Sequence, residues 1–304
     1  MFLNENYNDQ EGIKVFKSKD STVQKVMSFY KDDPFPNYEL IDDRLNILKK
    51  GDENLFTLNL KKFLGHNKKI LEVGSGTCQL STYLAIGSTN SITAFDANYN
   101  SLKIGRNFAK NNDLKNIEFV CGDIFEDIFK ENYFDAILCN GVLHHTKDTF
   151  KALNQVTKYL KVGGLILVGL YNKYGRTRTY LRKMFYKIFG KKFLLAFDPV
   201  LRKTDKKSEK KINAWIKDQY NHPVERAHTF DELILNFKKN NIEFYNSFPS
   251  CDYFNNIYQQ QDISKLFQKC NTGTKIERIL AQLNMIFNRQ GGEGGLYIFL
   301  GHKR

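Results

Sequence analysis

From Lys68 onward, short apolar runs alternate with segments whose apolar residues recur at helical spacing. Ile70–Val73 reads as a first strand, with Gln79–Ile86 as the helix behind it. Ser91–Phe95 predicts a second strand ending at Asp96, followed by a helix over Ser101–Asn111. Ile117–Val120 predicts a third, ending at Gly122-Asp123, and Phe134–Cys139 a fourth, ending at Asn140-Gly141. A helix over Thr149–Leu160 is expected to stop at Lys161-Val162-Gly163-Gly164, because glycine favours the position past a helix end. Leu165–Leu170 is a fifth strand. Runs that are apolar throughout and separated by helices are the pattern of a parallel sheet covered on both faces. The fold class is therefore α/β.

The rhythm breaks at residues 172–228, a basic and aromatic insertion with helices expected near Thr179–Phe189 and Lys207–Lys217. It resumes with a helix over Thr229–Lys239, opened by a capping-type threonine. A strand at Ile242–Phe244, a second insertion near 250–290 and a late strand at Leu296–Leu300 complete the chain. Ahead of the core, residues 1–66 read as helices with a proline-stiffened turn at Asp33-Pro34-Phe35-Pro36-Asn37.

Composition narrows the class. The 304 residues are 41% hydrophobic, which suits a globular core. The five cysteines (Cys78, Cys121, Cys139, Cys251 and Cys270) form no Cys-x-x-Cys pair, which argues against a zinc site or a disulfide framework and for a reducing, cytoplasmic setting. No metal is expected. The N-terminus shows no signal-peptide pattern, and the longest apolar run is too short to span a bilayer. The net charge of +13 is concentrated: Lys173–Lys211 holds fourteen basic and three acidic residues, against 32 and 30 in the rest. That segment suits an anionic substrate or surface, a membrane included, and equally a solvated face.

Ligands of open α/β sheets sit beyond the carboxyl ends of the strands. The first strand delivers Glu72, Gly74, Ser75 and Gly76 there; the second delivers Asp96 and Ala97, at the spacing of a carboxylate that accepts from ribose hydroxyls. The third delivers Gly122, Asp123 and Ile124, and the fourth Asn140-Gly141-Val142-Leu143-His144-His145. On Glu72-x-Gly74-x-Gly76, Asp96, Gly122-Asp123 and Asn140-Gly-Val-Leu-His-His, the chain resembles the class I S-adenosylmethionine-dependent methyltransferases, in the manner of their small-molecule (type 11/12-like) members.

The resemblance implies a Rossmann-like seven-stranded sheet, with an N-terminal helical lid region over 1–66 and a cofactor-binding core over 67–171. It makes 172–228 the substrate-side helical insertion after strand five and 229–304 the remainder of the core. It also implies S-adenosylmethionine as cofactor, with Gly74 and Gly76 near its methionine moiety, Asp96 on the ribose, and Asp123 with Ile124 at the adenine. Two departures are informative. The family usually has a third glycine where Cys78 stands, so tighter helix–strand packing is expected. A dinucleotide turn would need glycine where Gln79 stands.

Methyl transfer needs in-line positioning and exclusion of water, and a base only if the nucleophile arrives protonated. His144 and His145 are the candidate catalytic residues, with a cofactor-side or structural role as the alternative. Candidate substrate contacts are Tyr30 and Tyr38 in the N-terminal turn, and Tyr171, Asn172, Arg176, Tyr220 and His222 in and around the insertion; the alternative is that these staple it to the sheet. Arg176 makes an acceptor bearing a carboxylate or phosphate plausible. Neither an Asn-Pro-Pro-aromatic motif at Asn140 nor a Pro-Cys motif is present, which disfavours nucleic acid. Leu181, Met184, Phe185, Ile188 and Phe189 share one helix face, suited to a membrane interface or to packing on the core or another subunit. The expectation is an enzyme that methylates an oxygen, nitrogen or sulfur atom of a small molecule. A lipid or quinone methyltransferase, an RNA methyltransferase and a non-catalytic cofactor-binding subunit are the alternatives.

Overall fold

The computed structural model describes residues 3–4, 7–16, 43–204, 209–255, 262–288 and 294–304. The turn carrying Tyr30 and Tyr38 lies outside them. Ahead of the core, the expectation of helices holds only in part. A hairpin of β1 (Asn8–Gln10) and β2 (Ile13–Val15) comes first, then α1 (Arg44–Glu53) and α2 (Leu55–Leu64). Each hairpin strand is three residues long and Ile13 is its one buried side chain, so no alternation was there to read. Its turn, Glu11-Gly12, has both residues left-handed (φ 54° and 80°), the geometry that matches strand twist. Asp9 Oδ1 accepts from the Gly12 N–H at 2.8 Å.

The core then follows as β3 (Lys69–Val73), α3 (Gln79–Ala85), β4 (Ser91–Asp96), α4 (Tyr99–Asn111), β5 (Ile117–Cys121), β6 (Phe134–Asn140), α5 (Thr149–Tyr159) and β7 (Leu160–Tyr171). The insertion contributes α6 (Thr177–Phe189), α7 (Lys191–Phe197) and α8 (Glu209–Asn221). The chain returns through α9 (Phe230–Lys239), β8 (Ile242–Phe248), α10 (Lys275–Phe287) and β9 (Leu296–Lys303). Capping boxes start both α9 (Thr229 with Glu232) and α10 (Thr274 with Glu277).

The sheet order is β1-β2-β5-β4-β3-β6-β7-β9-β8. Neighbours from β2 to β7 run parallel, while β9 is antiparallel to both β7 and β8. The seven expected strands are thus its centre, and the hairpin extends one edge to nine among the described residues. The chain order reverses between β3 and β6, which places the switch point at their carboxyl ends. Alternate strand residues serve two faces. Leu71, Val120, Ile137 and Ile166 pack in one cluster with residues of α5 and α9. Ile70, Ile92, Leu138 and Leu167 pack in another with residues of α2, α3 and α4.

One boundary differs from the sequence reading. Leu160 is already extended, and Lys161–Gly164 belong to β7 rather than to a loop past α5. A register shift between Phe134 and Ala136 takes up the extra residues, with Gly163 left-handed at φ 77°.

Candidate active site

The turn after β3 is held open by the neighbouring strand. Gly74 and Ser75 donate their N–H groups to the Phe95 carbonyl at 2.7 and 3.1 Å. The Gly76 N–H donates to Asp96 Oδ2 at 2.8 Å, and the Asn98 N–H to Asp96 Oδ1 at 2.7 Å. One carboxylate therefore fixes the glycine turn and the start of α4, whose cap is Asn98. Burial pushes the Asp96 carboxyl up, opposed by the N–H groups of Asn98, Gly76 and Ala97. Gly74 is left-handed, and a Cβ there would lie 2.4 Å from Val142 Cγ2. The ends of β3 and β6 approach each other through that missing atom.

Glu72 is buried and accepts from the Ser81 hydroxyl. Burial pushes its carboxyl up to about 7. Cys78 takes the left-handed conformation that a glycine would supply (φ 65°) and is fully buried. Its side chain fits because α4 carries Gly105 opposite: a Cβ on that residue would lie 2.6 Å from both Cys78 Sγ and the Thr77 carbonyl. The tighter packing expected at this turn is accommodated by a glycine on the facing helix.

At the next strand ends, the Gly122 N–H donates to the Asp96 carbonyl at 3.1 Å. Asp123 is buried and accepts from the Phe125 N–H at 3.0 Å, while Ile124 packs half-buried against the core. Asn140 Oδ1 is buried and has no hydrogen-bond partner among the described residues. Gly169 on β7 makes room for it, since a Cβ there would lie 2.1 Å away. The edge thus offers the Asp96 carboxylate, an orphaned amide oxygen and a glycine turn of close backbone approach. That donor set fits a cofactor with hydroxyls and a cationic amino acid moiety.

Beyond Asn140, the short helical turn Leu143–His145 brings two imidazoles against β7 and the insertion. The His144 ring lies 4.0 Å from Tyr171 and 4.2 Å from His145; the His145 ring lies 3.7 Å from His222. The backbone of Val224 sets two tautomers at once. Its carbonyl accepts from His145 Nδ1 at 2.8 Å, and its N–H donates to His222 Nδ1 at 3.2 Å. The lone pair therefore sits on Nε2 of His145, and the proton on Nε2 of His222. Burial holds His145 down to about 4 and His222 to about 3, so both are neutral at pH 7. His144 is fully buried, is held well below the usual imidazole range by the same cause, and has no hydrogen-bond partner at either ring nitrogen among the described residues.

Residues 64–281 match the family model described as "Methyltransferase domain". The chain belongs to this family. It lies within the class I S-adenosylmethionine-dependent methyltransferases, and S-adenosylmethionine is the cofactor. A demethylmenaquinone methyltransferase of Staphylococcus aureus (strain MRSA252) is 30% identical over 138 residues, which are 44% of this chain and 56% of that protein. The chain thus spans little more than half the length of that relative. Among solved structures, PKMT2 of Rickettsia typhi in complex with AdoHcy superposes with a TM-score of 0.57 at 16% identity, over 82% of this chain and 52% of that one. The [4+2]-cyclase SpnF superposes with a TM-score of 0.50 at 15% identity, over 93% of each. These two likenesses are of fold.

In and around the insertion, the fold itself engages several of the candidate substrate contacts. Arg176 is fully buried and grips Glu225 through Nε at 3.2 Å and Nη2 at 2.6 Å. It also reaches Gln219 Oε1 at 2.9 Å and lies 3.8 Å over the Tyr171 ring. Asn172 is fully buried: Oδ1 caps the Tyr174 and Gly175 N–H groups and Nδ2 donates to Gln282. Tyr220 donates to Asp198 Oδ2 at 2.6 Å within the insertion's own core of Leu194, Leu201, Ile212 and Ile216. Tyr171 accepts from Gln219 Nε2 at 3.0 Å. Among the described candidates, only Tyr171 and His222 join the histidine stack.

Gln219, Glu225, Val224 and Gly169 were missed by sequence reading. Gln219 and Glu225 stand in the dense polar and aromatic stretch 215–228, which reads as a recognition surface, but nothing singled them out within it, and Val224 acts through its backbone. Gly169, inside an apolar strand, did carry a signal, because a strand glycine often marks a close approach.

Proposed function

We propose that this protein is an S-adenosylmethionine-dependent methyltransferase that methylates an oxygen, nitrogen or sulfur nucleophile of a small molecule at the His144–His145–Tyr171–His222 wall. The observation that carries this is His144: a fully buried imidazole with two orphaned nitrogens, four residues along from Asn140, whose side-chain oxygen is orphaned too. Buried polar atoms left without partners need an explanation, and a ligand beyond the strand ends supplies one.

When bound, the cofactor supplies an electrophilic methyl on a sulfonium, which leaves as a neutral thioether. In this reading Asp96 takes the ribose hydroxyls, Gly74 and Gly76 admit the methionine moiety, and Glu72, Ser75 and Ala97 shape the turn that admits it. Asn140 Oδ1 accepts from the ammonium group. Gly122, Asp123 and Ile124 border the adenine. His144 and His145, uncharged at pH 7, neither repel a cationic sulfonium nor bring in water. Each holds a neutral nitrogen that can orient a nucleophile's proton away from the methyl axis. A base held to about 4 draws a proton weakly at neutrality. The reading therefore favours an acceptor whose proton becomes acidic as its bond to carbon forms. Arg176 lends no support to an anionic acceptor, because Glu225 already neutralises it.

A lipid or quinone acceptor is the second reading, favoured by the similarity to demethylmenaquinone methyltransferase. Labelled-methyl transfer into host extracts, fractionated into aqueous and lipid pools with product masses determined, separates the two. Retained cofactor binding with label in neither pool would replace both with a regulatory, cofactor-binding role.

A further inference from the structure

Helix α6 is inside-out. The side chains turned toward the protein are Thr179 and, three, four and seven residues on, Arg182, Lys183 and Tyr186, the spacing of one helix face. Arg182 Nη2 donates to Thr179 Oγ1 at 3.2 Å on that side. The apolar stripe points the other way: Leu181 is 50% exposed, Met184 49%, Ile188 66% and Phe189 61%. Phe185, Phe189, Phe193 and Phe197 continue it as a ladder onto α7, with successive ring centroids 6.2, 6.1 and 4.7 Å apart. A surface helix ordinarily turns such a stripe to the core, and a contiguous exposed apolar patch marks an interaction site.

Charge selects the partner. From Thr177 to Phe197 there is no acidic residue, and Arg178, Lys187 and Lys192 are exposed around the patch. Arg202 and Lys203, exposed as well, follow directly. An aromatic and aliphatic stripe rimmed by long cations is the arrangement of a helix lying in a bilayer interface, its rings at the acyl boundary and its cations among anionic headgroups. Crossing is not an option, since no helix among the described residues is long and apolar enough.

We propose that α6 and α7 form a docking surface for an anionic lipid bilayer. The surface starts at the site's rim: α6 begins next to Arg176, whose guanidinium covers Tyr171 of the histidine stack. Docking would therefore hold the acceptor side of the pocket at the lipid surface. The proposal does not depend on methyl transfer, and its test needs no cofactor.

The full chain is floated with vesicles of phosphatidylcholine alone, or with about a third of the lipid replaced by phosphatidylglycerol. Recovery with the anionic vesicles is expected to exceed the neutral ones by at least about tenfold, and to fall in high salt. Met184→Ser/Ile188→Ser/Phe189→Ser should lower it by about tenfold or more with helicity retained, since these side chains are about half exposed or more. Lys187→Glu/Lys192→Glu should weaken anionic binding alone. Equal recovery from the two lipids, or recovery unaffected by both variants, would overturn the proposal. So would sedimentation showing a wild-type dimer that the triple serine variant makes monomeric, because the patch would then be covered by a second copy.

Discussion

The glycine-turn edge and the insertion after β7 treat polar groups in opposite ways. At the edge, polar side chains are few, and some are left with capacity to spare: Asp96 holds the Gly76 and Asn98 N–H groups with acceptor lone pairs remaining, and Asn140 Oδ1 has no partner among the described residues. In the insertion polar groups are dense but closed on one another, with Arg176 on Glu225 and Gln219, Tyr220 on Asp198, and Asn172 on Gln282. What the insertion leaves exposed as a continuous patch is apolar, while Arg182 Nε and Trp215 Nε1 are buried with no hydrogen-bond partner among the described residues. Density of polar and aromatic residues is therefore a poor guide to a recognition surface. The informative quantity is which groups remain without a partner after folding.

Four measurements bear on that contrast. The largest effect is expected at the edge: Asp96→Ala should weaken S-adenosylmethionine binding about a hundredfold by calorimetry, through loss of charge-assisted bonds and of the turn they hold. Unchanged affinity would remove Asp96 from the site.

The second concerns pH. His145 and His222 titrate lower in the folded state than their usual 6.5, so the unfolded chain binds more protons and stability is lost as pH falls from about 6.5 toward 4. The loss should reach a few kcal/mol in denaturant titrations, and His145→Asn should flatten it. Glu72 acts oppositely: raised to about 7, it contributes stability that declines as pH rises between about 4.5 and 7. Glu72→Gln should remove that arm of the profile.

Third, Gly105→Ala should cost about 2 kcal/mol by overpacking against Cys78, despite the small helix-propensity gain. Adding Cys78→Gly should recover part of it, with the Thr77 carbonyl contact still in place. Last, Tyr220→Phe should cost about 1 kcal/mol, seen as faster proteolysis within the insertion, while cofactor affinity stays unchanged. A drop in affinity would show that the insertion's closed network reaches the edge after all.

The core was legible because its strands are apolar on both faces and each delivers a distinctive residue at its carboxyl end, from Glu72 to Asn140. The β1–β2 hairpin was not, because three-residue strands with a single buried side chain carry no period. The orientation of α6 was also hidden: its stripe shows periodicity, and periodicity says nothing about which side meets the protein. Arg176 and Tyr220 looked available because their partners, Glu225 and Asp198, become neighbours only on folding.

The exchange of glycine between the turn and α4 carries an evolutionary corollary. A chain with glycine at 78 could acquire Gly105 first, at the modest cost of a looser contact and a weaker helix. Reaching Cys78 first, with any side chain at 105, would add overlap with a sulfur to the carbonyl contact that such a side chain already makes. The order of the two substitutions is thereby constrained, and related sequences with cysteine at the turn should almost all have glycine at the facing helical position.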